Sequence, residues 1–264
     1  MFNLDLQAIS FDSSLIFIVG LLTMCGAAFF GKITLGRKFK HDAAGDDELK
    51  IVLGATLSLF GLLIGFILSI AISGYNNRIN AEENEAMTIG SAFQRTALLD
   101  DVNQQYTEDV LQEYLTARIG FFKAENDTQR QAFRAQSIEI QTKLWLHVSG
   151  LAKAKPNILY NSVLDSLTNL YTAQQQTIAS WRFNVPAAAW VLLIFFAVCS
   201  NYFIGYNIRG ISGKNFLVLT VPFLTNIALF MIAEIDIPGE GIIHVTPVNL
   251  EDLRLIVARG GLAP

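Results

Sequence analysis

Charge is what this 264-residue chain most lacks: Asp, Glu, Lys and Arg together make up 16% of it, against about 25% in an ordinary soluble domain. The shortage is concentrated in four stretches, 15–31, 51–75, 185–208 and 215–233, none of which holds a single one of those residues. A bilayer core about 30 Å thick takes roughly 20 apolar residues in a helix. The second and third stretches exceed that, and Ser13, Ser14 and the apolar residues before them bring the first to length. The pattern predicts an all-α polytopic membrane protein with four transmembrane helices.

Other absences narrow the function. No histidine lies inside a span either, and intramembrane ionisable groups are what mark proton relays, voltage sensors and ion-coupled transporters. Proton-coupled transport and voltage sensing are therefore not expected. No phosphate-binding GxxxxGK loop, HExxH or GxSxG is present, since GISGKN at 210–215 lacks both the spacing and the hydroxyl residue. His41, His147 and His244 fall in three different segments. The expectation is not an enzyme, with no catalytic residues, no metal ligands, no cofactor and no nucleic-acid partner. Cys25 and Cys199 lie in spans one and three and read as small packing residues, not as a disulfide framework. A signal peptide is excluded by Asp5 and Asp12 before the first apolar run, where a basic region would be needed.

What charge there is has a pattern. Lys32, Arg37, Lys38, Lys40 and Lys50 surround the connection between spans one and two, and Arg209 and Lys214 occupy the turn between spans three and four. The excess of Lys and Arg on cytoplasmic loops then places both termini, and the long segment between spans two and three, on the periplasmic side. That segment has a single proline, Pro156, and three apolar stripes at helical spacing, typified by Val110, Tyr114 and Ile119, by Ile138, Ile140, Leu144 and Trp145, and by Ile158, Leu167, Leu170 and Tyr171. It predicts a helical-bundle domain inserted between spans two and three. The organisation expected is 1–75 for spans one and two with the basic loop, 76–184 for the bundle, 185–236 for spans three and four, and 237–264 for a carboxy-terminal strap. No turn signal follows span two, so it is expected to run on outside the membrane as one helix, with span three reached in the same way and Pro186 at the boundary.

Three groups of residues could carry function. Gly54, Ser58, Gly61, Gly65 and Ser69, spaced four, three, four and four, put small side chains down one face of span two. Such a face lets helices pack closely or lines a narrow pore. Pro222, Thr225 and Asn226 sit at mid-depth in span four, where a broken backbone ladder and a buried amide make either a polar gate or an interhelical hydrogen bond. At the outer edge, Arg78, Glu82, Glu83, Glu85 and Arg95 follow span two, and Glu234 and Asp236 end span four. These could form acidic rings that gather cations, a divalent-ion site, or ion pairs between the two groups.

The stretch EAMTIGSAFQR at 85–95 resembles the EANAIGTAYLR-like signature of the bacterial family named for a bestrophin-like domain. It follows GLLIGFILSIAISGYNNR, whose Arg78 matches that family's basic residue after span two. Tyr114 and Arg118 are similar to its Y-x-x-x-R, Trp145 to its middle-helix tryptophan, and EIDIPGEGIIHV to its ending, at Asp236, Pro238 and Gly241. Met87, Thr88 and Glu234 depart mildly from the pattern. The resemblance covers about residues 50–250. It implies kinship with bestrophins, pentameric anion channels with four membrane segments and a helical domain between the second and third. Bestrophins keep that domain in the cytoplasm, whereas the Lys and Arg count here puts it outside, and an acidic outer mouth does not suit anion selectivity. The function expected is a homo-oligomeric ion channel of the bacterial inner membrane with span two lining the pore, its selectivity open and its partners lipid, its own copies and inorganic ions. The alternative is a non-conducting membrane scaffold or periplasmic sensor.

Overall fold

The computed structural model of the chain describes residues 13–34, 43–207, 216–239 and 242–260. Arg37, Lys38, Lys40, Arg209 and Lys214, on which the sidedness rests, lie outside these residues, as do His41, the GISGKN stretch and Gly241. Among the described residues there is no strand. The helices are α1 (Ser13–Thr34), α2 (Ala43–Thr96), α3 (Asp101–Lys123), α4 (Asp127–Ala154), α5 (Ile158–Trp181), α6 (Ala187–Asn207), α7 (Phe216–Asp236) and α8 (Val248–Ala258). Four of them, α1, α2, α6 and α7, are long and apolar enough to cross a membrane, and the chain is a membrane protein.

Local chemistry sets the helix ends. Asp100, Asn126 and Asn157 cap α3, α4 and α5, accepting from the backbone N–H groups of Asn103, Gln129 and Leu159 at 3.2, 2.9 and 3.2 Å. Pro156 stands in the α4–α5 turn, as the sequence suggests. Span two does continue as one helix, α2 being 54 residues long. The approach to span three differs: α5 stops at Trp181 and α6 starts at Ala187. Pro186 disfavours helix at Val185 and cannot donate to a preceding turn, so residues 183–185 belong to neither helix and α6 begins with Ala189 N–H bonding the Pro186 carbonyl at 2.9 Å. The carboxy-terminal strap also contains a helix, α8, that its composition did not announce.

The chain divides into two compact units. The first comprises Met1–Ser73 and Asn184–Ile237, and its core holds Met24, Phe60, Ile67, Leu193, Ala197 and Ile232. Here α1 packs on both α6 and α7. At Gly31 and Gly205 the helices approach so closely that a Cβ would collide with the backbone carbonyls of Tyr202 and Ala28, the small-residue contact that substitutes for hydrophobic drive in lipid. Leu15, Ile18, Leu22, Phe29, Phe66 and Phe195 are exposed, as befits a lipid-facing surface. The second unit comprises Gly74–Phe183 and Pro238–Pro264. In it α3 packs on α4, α4 on α5, and α8 on α3, around Ile89, Leu111, Tyr114, Leu144, Leu170 and Leu250.

Candidate functional site

Within the first unit α2 has two unlike faces. Phe60, Ile67 and Ala71 enter the core, while Gly54, Ser58, Gly61, Gly65 and Ser69 are all exposed. A Cβ added at Gly54, Gly61 or Gly65 would meet no atom at all, so nothing in a single chain covers the small-residue face. Pro222, Thr225 and Asn226 are placed differently, buried in the unit's interior. Asn226 donates its amide to the Phe17 carbonyl at 3.0 Å, an interhelical bond between α7 and α1, and Gly20 of α1 makes room for that amide. At the end of α7, Asp236 accepts from the Val185 backbone N–H at 2.8 Å and from the Trp190 indole N–H at 3.2 Å, holding the non-helical lead into α6 and its first turn.

In the second unit the charged residues of α2 part company. Glu82 and Glu85 are 1% and 0% exposed, whereas Glu83 is exposed. One residue turns an α-helix by about 100°, so Glu83 points away from the face that carries Arg78, Glu82, Glu85 and Ile89 into the bundle. A ring built from all three carboxylates is not what this helix presents. Glu82 accepts from the Asn249 side chain at 2.7 Å and the Leu250 backbone N–H at 3.0 Å, placing a carboxylate at the N-terminus of α8 where the helix dipole favours it. Arg78, 2% exposed, donates to the Phe183 carbonyl at 3.5 Å. Arg95 donates to the Ser162 carbonyl at 2.8 Å.

Glu85 is the centre of the buried polar network. Arg118 grips it with two groups, Nε on Oε1 and Nη2 on Oε2, the latter at 3.1 Å, and Thr177 donates to Oε2 at 2.7 Å. Burial is the largest single influence on Arg118 and works against its charge, but the Glu85 charge, Tyr114 and the hydrogen bond to Glu85 together raise the guanidinium pKa. Burial first, and Glu85 beside it, hold the Tyr114 hydroxyl protonated well beyond its usual range. That hydroxyl oxygen accepts from Gln141 Nε2 at 3.1 Å. The Arg118 guanidinium also lies over the Phe121 ring at 4.4 Å. Phe121 and Phe122 meet the Trp181 ring edge-on at 5.1 and 5.7 Å, and Arg130 covers Trp181 at 4.9 Å. Arg130 in turn donates to the Gly239 carbonyl at 3.2 Å. Gly239 has φ +74° with Trp181 and Arg130 pressed against it, so a side chain there would be both strained and blocked.

Thr177, Trp181, Arg130, Gln141 and Trp190 had no signature in the sequence. Tyr114 and Arg118 did, through their Y-x-x-x-R spacing, and the structure puts both against Glu85. Among the described residues no three of His, Cys, Asp and Glu approach closely enough to hold a metal ion. The Glu85–Arg118 ion pair is sealed from solvent and ties α2 to α3.

The model of the Bestrophin-like domain family matches residues 25–250, most of the chain. The chain belongs to the Bestrophin-like domain family. The matched residues take in the exposed face of α2, the Glu85 network and Asp236 alike. Two crystal structures of a bacterial Bestrophin homolog from Klebsiella pneumoniae are similar to it in fold. One, solved by Zn-SAD phasing, has 12% identity and a TM-score of 0.62 and covers 94% of this chain and 99% of its own. The other, a point variant, has 13% identity and a TM-score of 0.63 with 96% and 98% covered. No curated protein matches the chain.

Proposed function

We propose that this bestrophin-like protein is a homo-oligomeric ion channel in which α2 lines a central axis and the bundle stands outside the membrane between spans two and three. The observation that carries the reading is the exposed small-residue face of α2, which no atom of a single chain approaches at Gly54, Gly61 or Gly65. Surrounded by copies of itself, such a face leaves room for an ion path where larger side chains would close it. Glu83 lies about five helical turns beyond Gly65, at nearly the same angle around the helix, and is exposed. One carboxylate per subunit there gives an acidic ring that gathers cations at the mouth. Pro222, Thr225 and Asn226 serve to seat α7 on α1, with the axis left to α2.

Purified full-length protein in planar bilayers tests this. Single-channel currents are expected, lost in Gly65→Leu and reduced in cation conductance in Glu83→Gln. Silence across several salts and voltages with intact oligomers would refute the channel. Sidedness is read separately: in a Cys25→Ser, Cys199→Ser background, Asp127→Cys should react with an impermeant maleimide in intact spheroplasts and Lys40→Cys should not. The opposite labelling would put the bundle in the cytoplasm, the bestrophin arrangement.

A further inference from the structure

We propose that copies of the chain join side to side around the α2 axis, the exposed face of α8 on one copy packing against the α2–α5 side of the next, with Arg259 and Asp165 paired across the joint. Such a joint rests on the ring of α2 helices proposed above, in which Glu83 faces the axis. At about 100° per residue, Asn84 and Arg95 then lie roughly 100–120° to one side of Glu83, and Glu82 and Gly90 lie roughly 100° and 20° to the other. Asn84 donates to Gln176 at 3.1 Å and Arg95 to the Ser162 carbonyl at 2.8 Å, which puts α5 on the first side. Glu82 accepts from the Leu250 N–H at 3.0 Å and Leu253 packs over Gly90, which puts α8 on the second. Closing a ring brings such unlike sides together.

The two sides match in height and in charge. α5 runs antiparallel to α2, Ser162 beside Arg95 and Gln176 beside Asn84, which sets Asp165 near the level of Arg95. α8 starts beside Glu82 and passes Gly90 at Leu253, so it climbs α2 and carries Arg259, at its C-terminal end, to about the same level. Asp165 and Arg259 are both exposed, and among the described residues neither has an ion pair within its own chain. Asp165 is also the one charged residue of α5, so Asp252, on the outward face of α8, meets neutral side chains there. Val248 and Leu255 share that face with Arg259, opposite the buried Leu250 and Leu253, and are 53% and 51% exposed. At the level of Glu82, where α8 begins, the receiving side has a groove of about 380 Å³ between α2 and α5, edged by the apolar Ala179 and Phe183. That groove takes Val248.

Full-length protein in nanodiscs, in a Cys25→Ser, Cys199→Ser background, tests the joint. With a short bis-maleimide, Asp165→Cys and Arg259→Cys on one chain should give a ladder of linked chains ending at the closed ring on a denaturing gel, and either cysteine alone should give single chains. Reversing one charge, as Asp165→Arg or Arg259→Asp, should raise the share of dissociated chains about threefold or more in native mass spectrometry at low salt. The double reversal should restore the assembly, and this rescue decides if the cysteine pair fails to assemble. An intact oligomer that neither links at this pair nor responds to a single reversal would overturn the joint and leave the ring standing. Linked pairs from one cysteine alone would mean that like sides meet, and would overturn it too. A monomeric unaltered protein would refute the ring and the joint with it.

Discussion

In the first unit, helices meet backbone to backbone at Gly31 and Gly205, and the buried polar side chains of Asn226 and Asp236 hold their neighbours through one or two hydrogen bonds to backbone or indole groups. In the second unit a fully buried carboxylate and guanidinium face each other, with Thr177, Tyr114 and three aromatic rings arranged around them. The contrast fits the proposed surroundings of each unit, lipid for the first and water for the second. Lipid tails are as apolar as leucine, so helices in a membrane gain by close contact and by satisfying every amide. A bundle that stands in water, as proposed for the second unit, has hydrophobic burial to spare and can seat a charged pair at its centre, at the cost of depending on both partners. α2 supplies both units, and its sequence changes character accordingly, from glycine and serine to arginine and glutamate.

Mutations can break this contrast. The largest effect is expected in the second unit: Arg118→Ala or Glu85→Ala should cost about 3–5 kcal/mol, because each strands a buried charge. Replacing both, as Glu85→Leu with Arg118→Met, should recover most of that, a non-additivity that a double-mutant cycle in thermal unfolding would reveal. In the first unit Gly205→Val should cost about 1–3 kcal/mol by overpacking against the Ala28 carbonyl. Recovery by a second distant change is not expected there, since the clash is with backbone. Asp236→Asn keeps an acceptor for the Val185 N–H and should cost about 1 kcal/mol.

The smallest effect is a pH dependence confined to the bundle. The His147 ring, 4.4 Å from Tyr106, has its pKa lowered by burial from the ordinary 6.5. The unfolded chain therefore binds the proton first as pH falls. Stability contributed by the neutral ring is complete above 6.5 and declines below it toward the folded-state value. Unfolding midpoints measured across that window should fall with acidity, and the His147→Gln variant should show a shallower slope.

Much of this architecture was legible in the sequence, for reasons that differ by region. The four apolar helices follow from absent charge, which lipid enforces residue by residue. The unbroken α2 follows from the lack of any turn signal after span two, and the α4–α5 turn from Pro156 and the Asn157 cap. The α5–α6 break escaped because α5 ends on ordinary helix formers and only Pro186 signals it. Faces were harder than elements. Glu82, Glu83 and Glu85 look alike in one dimension, and only the phase of α2 against α3, α5 and α8 separates the outward carboxylate from the two inward ones. Ile138, Trp145 and Tyr171 were assigned to the core by spacing, but the structure leaves them exposed along a groove between α4 and α5. Thr177 and Gln141 are legible only once three helices are placed together, since a polar residue on a helix reads the same whether it faces water or a buried ion pair.

The two faces of α2 within the first unit give the sharpest test of the channel. In the cysteine-free background, Gly61→Cys and Phe60→Cys place a thiol on adjacent positions, one on the exposed small-residue face and one in the unit's core. A positively charged, water-soluble methanethiosulfonate applied during planar-bilayer recording should block Gly61→Cys currents within seconds to minutes and leave Phe60→Cys currents untouched. Currents that persist after full exposure of Gly61→Cys, with its thiols unmodified, would contradict the account and make this face a dry seam between subunits.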